Sequence, residues 1–364
     1  MSLERYIRQI SLPGFGEEAQ QKLIHARVLV IGVGGLGIPV LQYLNAMGVG
    51  TLGMVEQDVI ELSNLQRQVL FSEEDLGKQK LPVALEKLRA VNSETNFKTY
   101  DTFLTRDNAL AIIKSFDIVV DATDNFPTRY LVNDACVILN KPLVYGALHG
   151  FEGHVSVFNY MGGPTYRCLF PEPPNNDTIP NCNEHGVLGV IPGIIGNLQA
   201  LEVIKCLTGT GEVLSGKLLL YKGLTQSIYK IDFPVVLKNK ERTMLEDQYE
   251  TPDCSMSNEV SIEAFRKIAN ASNSWQLIDV RTLEEFNEDP IKKARNIPLP
   301  HLESTMHDLD TSRPIFFICQ SGIRSLHAVH LVSKKFPEYE SFSIKGGVDL
   351  WRSIDSASQP SNGV

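Results

Sequence analysis

Apolar residues in the first half of the chain fall in short unbroken runs separated by stretches of helical spacing. Val28-Leu29-Val30-Ile31 has no polar interruption, the pattern of a strand buried on both faces. It enters the loop Gly32-Val33-Gly34-Gly35-Leu36-Gly37, and the spacing beyond predicts a helix through about Met47. Thr51 to Val55 predicts a second strand, Lys80 to Val91 a helix, Asp117 to Asp121 another buried strand, and Leu143-Val144-Tyr145 a further short apolar run. Residues 1–25 predict an amphipathic helical lead-in with a turn at Pro13-Gly14. Strands alternating with helices predict an α/β fold with a doubly wound, mainly parallel sheet. Ligands of such sheets bind beyond the carboxyl ends of the strands.

Farther along, Phe170 to Cys182 is rich in Pro, Asn and Asp and is expected to be a mobile crossing loop. A glycine-punctuated apolar helix is expected over Gly186 to Cys206, with strands at Lys217–Tyr221 and Ile228–Ile231. Residues 238–257 are charged and lack apolar periodicity, as a linker does. They separate a domain over 1–237 from a second, smaller α/β domain over 258–364, with strands expected at Gln276–Val280, Ile315–Ile318 and Ser341–Ile344. No internal repeat is visible.

Composition narrows the function classes. The chain has 364 residues, more than one typical core holds, and its net charge of −9 comes from acids outnumbering bases on both sides of the linker. No basic block is present, so nucleic acid is not expected as a partner. No apolar run reaches the length of a membrane span, and Met1-Ser2-Leu3-Glu4-Arg5-Tyr6 lacks the apolar core of a signal peptide. The six cysteines, at 136, 168, 182, 206, 254 and 319, are scattered and form no disulfide framework, which fits a reducing cytoplasm.

A glycine loop between strand and helix lets phosphates approach backbone N–H groups at the positive end of the helix. Gly32, Gly34 and Gly37 fit the dinucleotide pattern, and Glu56 falls near the end of the second strand, where an acid can bind ribose hydroxyls. At this point NAD and ATP are equally open. No Gly-Lys-Ser/Thr element follows, which excludes a P-loop. Adenylation needs polar and cationic groups around a triphosphate and a carboxylate for magnesium; Asn64, Arg67 and Lys80 supply the first and Asp124 the second. Taken singly, Arg67 and Lys80 would be solvated helix surface, and Asp124 a helix N-cap before Phe126-Pro127.

Arg5-Tyr6-Ile7-Arg8-Gln9-Ile10, the glycine loop, Ser63-Asn64-Leu65-Gln66-Arg67-Gln68, Lys80, Asp121-Ala122-Thr123-Asp124-Asn125 and Tyr166-Arg167-Cys168-Leu169-Phe170-Pro171 together resemble the MoeB/ThiF/HesA family over about residues 1–235. Its members are the bacterial relatives of ubiquitin-activating enzymes. The resemblance implies a Rossmann-like domain that uses ATP to adenylate the C-terminal glycine of a ubiquitin-like sulfur carrier ending in Gly-Gly, of the MoaD or ThiS type. It implies that Gly34 and Gly35 line the nucleotide, that Glu56 holds the ribose (where the family more often has Asp), and that Asn64, Arg67 and Lys80 contact the phosphates. Asp124 would hold Mg²⁺, and Arg8 would reach into the partner subunit's site of a homodimer. The family's structural zinc sits on two Cys-x-x-Cys pairs. Here Thr165 occupies the pair position of Cys168 and the second pair is missing, so no zinc is expected and Cys168 reads as inert packing. Cys182, within Pro180-Asn181-Cys182-Asn183-Glu184-His185, matches a loop cysteine that in relatives carries a thioester or a resolving disulfide; His185 beside it reads as a local polar contact. Cys136 and Cys206 read as core.

The second domain carries its own chemistry. Ile315 to Ile318 ends at Cys319-Gln320-Ser321-Gly322-Ile323-Arg324, and a helix follows. A cysteine at such a junction is expected to face several backbone N–H groups and a helix N-terminus, which favour a thiolate or persulfide; Arg324 is expected to add positive charge. With Leu277-Ile278-Asp279-Val280-Arg281, Glu284-Glu285-Phe286 and Gly346-Gly347-Val348, this loop resembles the rhodanese family over about residues 258–355, except that Asp289-Pro290-Ile291 replaces the usual Gly-His-Ile. The two resemblances imply adenylation followed by sulfur transfer, with a cysteine desulfurase as sulfur donor. They leave molybdopterin, thiamin, cysteine and tRNA thiolation open. An NAD-dependent oxidoreductase and a carrier-binding scaffold without catalysis are the alternatives.

Overall fold

The computed structural model describes residues 3–173, 186–247, 249, 259–271, 274–336 and 339–357. Backbone contacts divide the chain into a unit over Met1–Thr251 and a unit over Pro252–Val364.

In the first unit eight strands form one sheet: β1 (Arg27–Ile31), β2 (Thr51–Val55), β3 (Asn96–Tyr100), β4 (Ile118–Asp121), β5 (Leu143–His149), β6 (Glu152–Phe158), β7 (Lys217–Lys222) and β8 (Ser227–Asp232). Their order is β3-β2-β1-β4-β5-β6-β7-β8. Strands β1 to β5 pair in parallel, and β6, β7 and β8 add antiparallel. The sheet is thus mainly parallel and doubly wound. The apolar runs are continuous because both faces are covered: Val28 and Val30 of β1 join one core cluster, with Leu52, Met54, Ile118 and Val120. Leu29 and Ile31 point the other way and join Val119, Leu143 and Tyr145.

The helix Gly37–Ala46 follows β1, Lys80–Val91 follows β2, and Phe126–Ile138 follows β4. The long helix Val190–Thr208 has 19 residues and is apolar enough to cross a membrane by length and composition, contrary to the expectation that no segment would be. Half of it is buried in this fold, with Ile191, Ile195, Ala200, Val203 and Ile204 in the core. A Cβ at Gly196 would lie 2.4 Å from the Leu36 carbonyl oxygen, so glycine is what lets this helix close on the glycine loop.

Part of the expected linker is packed structure. Arg167 holds Asp134 through bonds of 2.8 and 2.9 Å. Tyr249 donates to the same carboxylate at 2.9 Å, and Arg242 and Glu246 complete the group. Asp134 is wholly buried. Its charge pays a large desolvation cost, which these partners and Asn133, donating at 2.9 Å, offset.

The second unit is an all-parallel five-stranded sheet, β9 (Glu259–Val260), β10 (Gln276–Asp279), β11 (Ala294–Asn296), β12 (Ile315–Ile318) and β13 (Ser341–Ile344), in the order β11-β10-β12-β13-β9. Ile315 and Phe317 face one cluster and Phe316 and Ile318 the other. The Asp289-Pro290 substitution is held in place: the Asp289 carbonyl accepts from Arg281 at 2.7 Å, and its carboxylate pairs with Arg352.

Asp134→Ala leaves Arg167 buried without its bidentate partner. Loss of one member of such a pair costs about 3–5 kcal/mol, so a clear drop in the unfolding midpoint of the first unit is expected by denaturant titration. An unchanged midpoint would show that the cluster contributes nothing to stability.

Candidate functional site

The glycine loop leaves the carboxyl end of β1, and the Thr123-Asp124-Asn125 segment leaves the neighbouring β4. These adjacent strands send their crossovers to opposite sides of the sheet, so a crevice opens between them. Gly32 has φ +95° and a Cβ there would meet the Ala122 carbonyl oxygen at 2.8 Å; one at Gly37 would lie 1.9 Å from the Gly32 oxygen. These two glycines are required by close backbone approach. Gly35 faces Arg67 and Pro192 at 3.2 Å, whereas Gly34 has only Gln68 within 4 Å. The loop's open side is therefore at Gly34, where a ligand's phosphate can come close to backbone N–H groups.

Glu56 stands at the end of β2, nearly buried. Its Oε2 accepts from Val33 N–H at 2.9 Å, and its Oε1 accepts from the N–H groups of Gln57 and Asp58 at 2.9 Å each. A carboxylate accepts about four hydrogen bonds; three are taken by backbone, so Glu56 ties the glycine loop to β2 and keeps one acceptor position for a ribose hydroxyl. Lys80 is 5% exposed, not solvated surface. Its ammonium pairs with Asp58 at 3.0 Å and lies 4.0 Å from Glu56. Arg67 is half-buried and donates to the Ser63 carbonyl at 3.0 Å. Asn64 is buried beside it, its carbonyl accepting from the N–H groups of Arg67 and Gln68.

Asp124 is exposed, and no hydrogen bond or ion pair engages its carboxylate among the described residues. It is not the helix cap: Asn125 takes that role, accepting from Thr128 N–H at 3.0 Å. A hard, uncommitted oxygen ligand beside a phosphate cradle fits magnesium, which is held by one or two carboxylates plus substrate phosphates. Among the described residues no three metal-binding side chains converge, so phosphates would supply the remaining ligands.

Sequence reasoning missed several buried polar groups here. Asp121, Arg129, Gln68 and Gln199 are all buried. Gln199 reaches across from the long helix to donate to the Asp121 carbonyl at 2.8 Å, over Gly146, where a Cβ would clash with it at 2.3 Å. Asp121 and Arg129 stand within the quoted motif and its helix, but nothing in their spacing announces burial. Arg8 is exposed on this chain. Cys182 and His185 lie outside the described residues, as does most of the crossing loop.

Cys168 is not inert packing. Its sulfur accepts from Val236 N–H at 3.3 Å and Thr165 N–H at 3.4 Å, with the Thr165 hydroxyl at 3.4 Å and Asn239 Nδ2 at 3.9 Å. Burial pushes its thiol pKa up, but these donors outweigh burial and bring it below the ordinary value. Thr165, Cys168, Val236 and Asn239 form a hydrogen-bonded knuckle between two chain segments, and one sulfur among them does not fit a tetrahedral zinc site. Cys136 is fully buried and its thiol is pushed up by burial; Cys206 is half-buried and pushed up to about 12.

In the second unit Cys319 is 0% exposed at the end of β12. Its sulfur accepts from Gly322 N–H at 3.2 Å and lies 3.5 Å from the Ser325 hydroxyl. That is one backbone donor and one hydroxyl among the described residues, fewer than the several N–H groups expected. Gly322 has φ +97° and begins the helix Ile323–Lys335. Gly347 lets a second backbone close on the loop: Val348 N–H donates to the Cys319 carbonyl at 2.9 Å, and a Cβ at 347 would sit 2.2 Å from that oxygen. Arg324 does not bring a free positive charge. It is clamped by Glu285 through two bonds of 2.7 Å, and the guanidinium holds the Glu285 carboxyl at about 2.

Known families and proteins are similar to this chain in both units. The ThiF family matches residues 6–243, and the Rhodanese-like domain family matches residues 261–354. The chain is 38% identical over 384 residues to an adenylyltransferase and sulfurtransferase MOCS3-1 of Zea mays, covering 96% of this chain and 82% of that protein. It is 52% identical over 234 residues to a sulfur carrier protein adenylyltransferase of Thermus thermophilus, covering 63% of this chain and 86% of that protein. Among solved structures it is similar to E. coli MccB with ATP, with a TM-score of 0.56 and 25% identity over 64% of this chain and 72% of that one.

Elemental analysis of protein purified without chelator should find well under one zinc per chain, and Cys168 should react with a thiol reagent without prior metal removal. One equivalent of zinc released by modifying Cys168 would mean the ligand set has been misjudged.

Proposed function

We propose, on the premise that the chain belongs to the ThiF family, how its residues divide the work of an enzyme that is both an adenylyltransferase and a sulfurtransferase. Its activity is ATP-dependent adenylation of the C-terminal glycine of a ubiquitin-like sulfur carrier, followed by sulfur transfer to give a thiocarboxylate. The observation that carries the residue assignment is the crevice between β1 and β4. The glycine loop leaves β1 there, with Arg67 packed against Gly35 and Lys80 beside Glu56, and the uncommitted Asp124 carboxylate follows β4.

Gly34 and Gly35 admit the phosphates to the loop, and Glu56 offers its remaining acceptor to the ribose. Asn64, Arg67 and Lys80 orient and neutralise the triphosphate, with Lys80 exchanging its Asp58 partner for phosphate oxygens. Magnesium, held by Asp124, would screen the phosphate charge as the new bond forms. The carrier's carboxylate oxygen attacks the α-phosphorus, pyrophosphate leaves, and an acyl-adenylate results. A second copy of the chain supplies Arg8 across a homodimer interface.

Sulfur then enters through Cys319. Its thiolate takes the outer sulfur of a cysteine desulfurase persulfide, and the donor leaves as a thiolate. The persulfide attacks the acyl carbon and AMP departs, giving an acyl disulfide. Two-electron reduction of the acyl disulfide by an external thiol, with Cys182 taking part in this release, frees the thiocarboxylate and restores the Cys319 thiol. Splitting acyl substitution through covalent intermediates is ordinary nucleophilic catalysis.

Carrier-dependent ATP–pyrophosphate exchange tests the first half. Asp124→Ala removes a strong electrostatic stabiliser and should cost about two orders of magnitude or more; wild-type exchange in that variant would overturn the assignment. Cys319→Ala should exchange pyrophosphate normally yet form no thiocarboxylate from a desulfurase, and thiocarboxylate at the wild-type rate would remove the C-terminal unit as the sulfur source.

For the dimer, Arg8→Ala and Asp124→Ala chains mixed under verified subunit exchange should regain activity. Failure to do so would exclude action of Arg8 in trans.

A further inference from the structure

Asp121 is the last residue of β4 and is 1% exposed. Its Oδ1 accepts from Thr123 N–H at 3.0 Å and from the Thr123 hydroxyl at 2.6 Å. Its Oδ2 is buried and has no partner among the described residues. Burial pushes the carboxyl above its ordinary range, with Arg129 and Thr123 acting against that. A buried carboxylate with one oxygen unmatched costs stability, and such groups persist where function holds them.

The groups around it fasten Asp121, Thr123 and Asn125. Gln199 fixes the Asp121 carbonyl from above at 2.8 Å. Arg129, seated over the rings of Phe126 and Tyr145, donates to the Thr123 carbonyl at 3.1 Å. Asn125 is locked as the cap of the following helix. Asp124 therefore projects from a loop whose two flanking residues are both tied down, while its own carboxylate stays uncommitted among the described residues.

We propose that Asp121 is a positioning residue: through the Thr123 amide and hydroxyl it holds the Asp124 carboxylate where the metal–triphosphate must bind. The proposal rests on the reading of Asp124 as the magnesium ligand. It implies a trade, in which an incompletely satisfied buried carboxylate is kept in exchange for a preorganised ligand. Thr123→Val removes the hydroxyl donor at nearly constant volume, and Thr123→Ser retains it. Asp121→Asn keeps the shape but weakens the acceptor and lifts the cost of the buried charge.

The readout is the factor by which saturating Mg²⁺ tightens binding of a non-hydrolysable ATP analogue to the full chain, measured by calorimetry beside the metal-free affinity. Thr123→Val should shrink that factor about five- to tenfold, as expected for the net loss of one hydrogen bond, with metal-free affinity unchanged. Thr123→Ser should match wild type. Asp121→Asn should also shrink the factor while melting at or above the wild-type temperature, and it keeps the test available if Thr123→Val folds poorly. Wild-type factors in both Thr123→Val and Asp121→Asn, with the factor lost in Asp124→Ala, would overturn the positioning role and leave the ligand reading intact. A full factor in Asp124→Ala would overturn the ligand reading, and the proposal with it. A lower melting temperature in Asp121→Asn, with metal-free and metal-bound affinities falling together, would make Asp121 a structural residue and also overturn the proposal.

Discussion

The adjacency of β1 and β4 is the constraint on which the first unit depends. Parallel strands need long crossovers, and the two that leave these neighbours run to opposite sides of the sheet. Their divergence leaves a crevice above the two strand ends. Gly32 and Gly37 then follow from sterics, because the loop must turn within contact of Ala122 and of its own backbone. Glu56 follows from electrostatics, because three backbone N–H groups, that of Val33 buried, converge on one acceptor at that end. Lys80 is buried because Asp58 and Glu56 are there to receive it.

The second unit meets the same kind of demand with less space. Its sulfur sits where β12 ends and a helix begins, and Gly322 and Gly347 bring two backbones together around it. Arg324 is clamped by Glu285, and the groups that touch the sulfur directly are the Gly322 N–H and the Ser325 hydroxyl. Dipoles fixed by backbone geometry need no reorganisation when charge moves onto or off the sulfur.

The parallel strands were legible because burial on both faces writes an unbroken apolar run, and β1, β2, β4 and β12 read that way directly. β3, with Asn96, Lys98 and Thr99, is largely exposed, and β9 and β11 span only two and three residues, too few for any period to appear. β6 was missed although it is well buried, since His154 and Ser156 interrupt its apolar positions. At the site, the residues of the motif announced themselves by type and order. The supporting ones did not: Asp121, Arg129 and Gln199 look like ordinary polar residues until the sheet and the long helix enclose them. The same holds for Asp134 and Arg167, whose pairing turned an apparent linker into packed structure. Cys168 lacks the neighbouring cysteines of a metal site, and the hydrogen bonds on its sulfur form only where the segments of Thr165 and Val236 meet in three dimensions.

The long helix Val190–Thr208 has a consequence for how the chain is made. On emerging from the ribosome it is an apolar segment long enough to be taken for a membrane anchor. Its main resting place is built from the glycine loop, the helix Gly37–Ala46, β5 and β6, all of which precede it in the chain. Synthesis from the N-terminus therefore delivers the dock before the cargo, and the helix can be covered without waiting for β7 or β8. A circular permutation that placed Val190–Thr208 ahead of β1 would reverse that order and leave the same helix uncovered for most of translation, with an identical final fold.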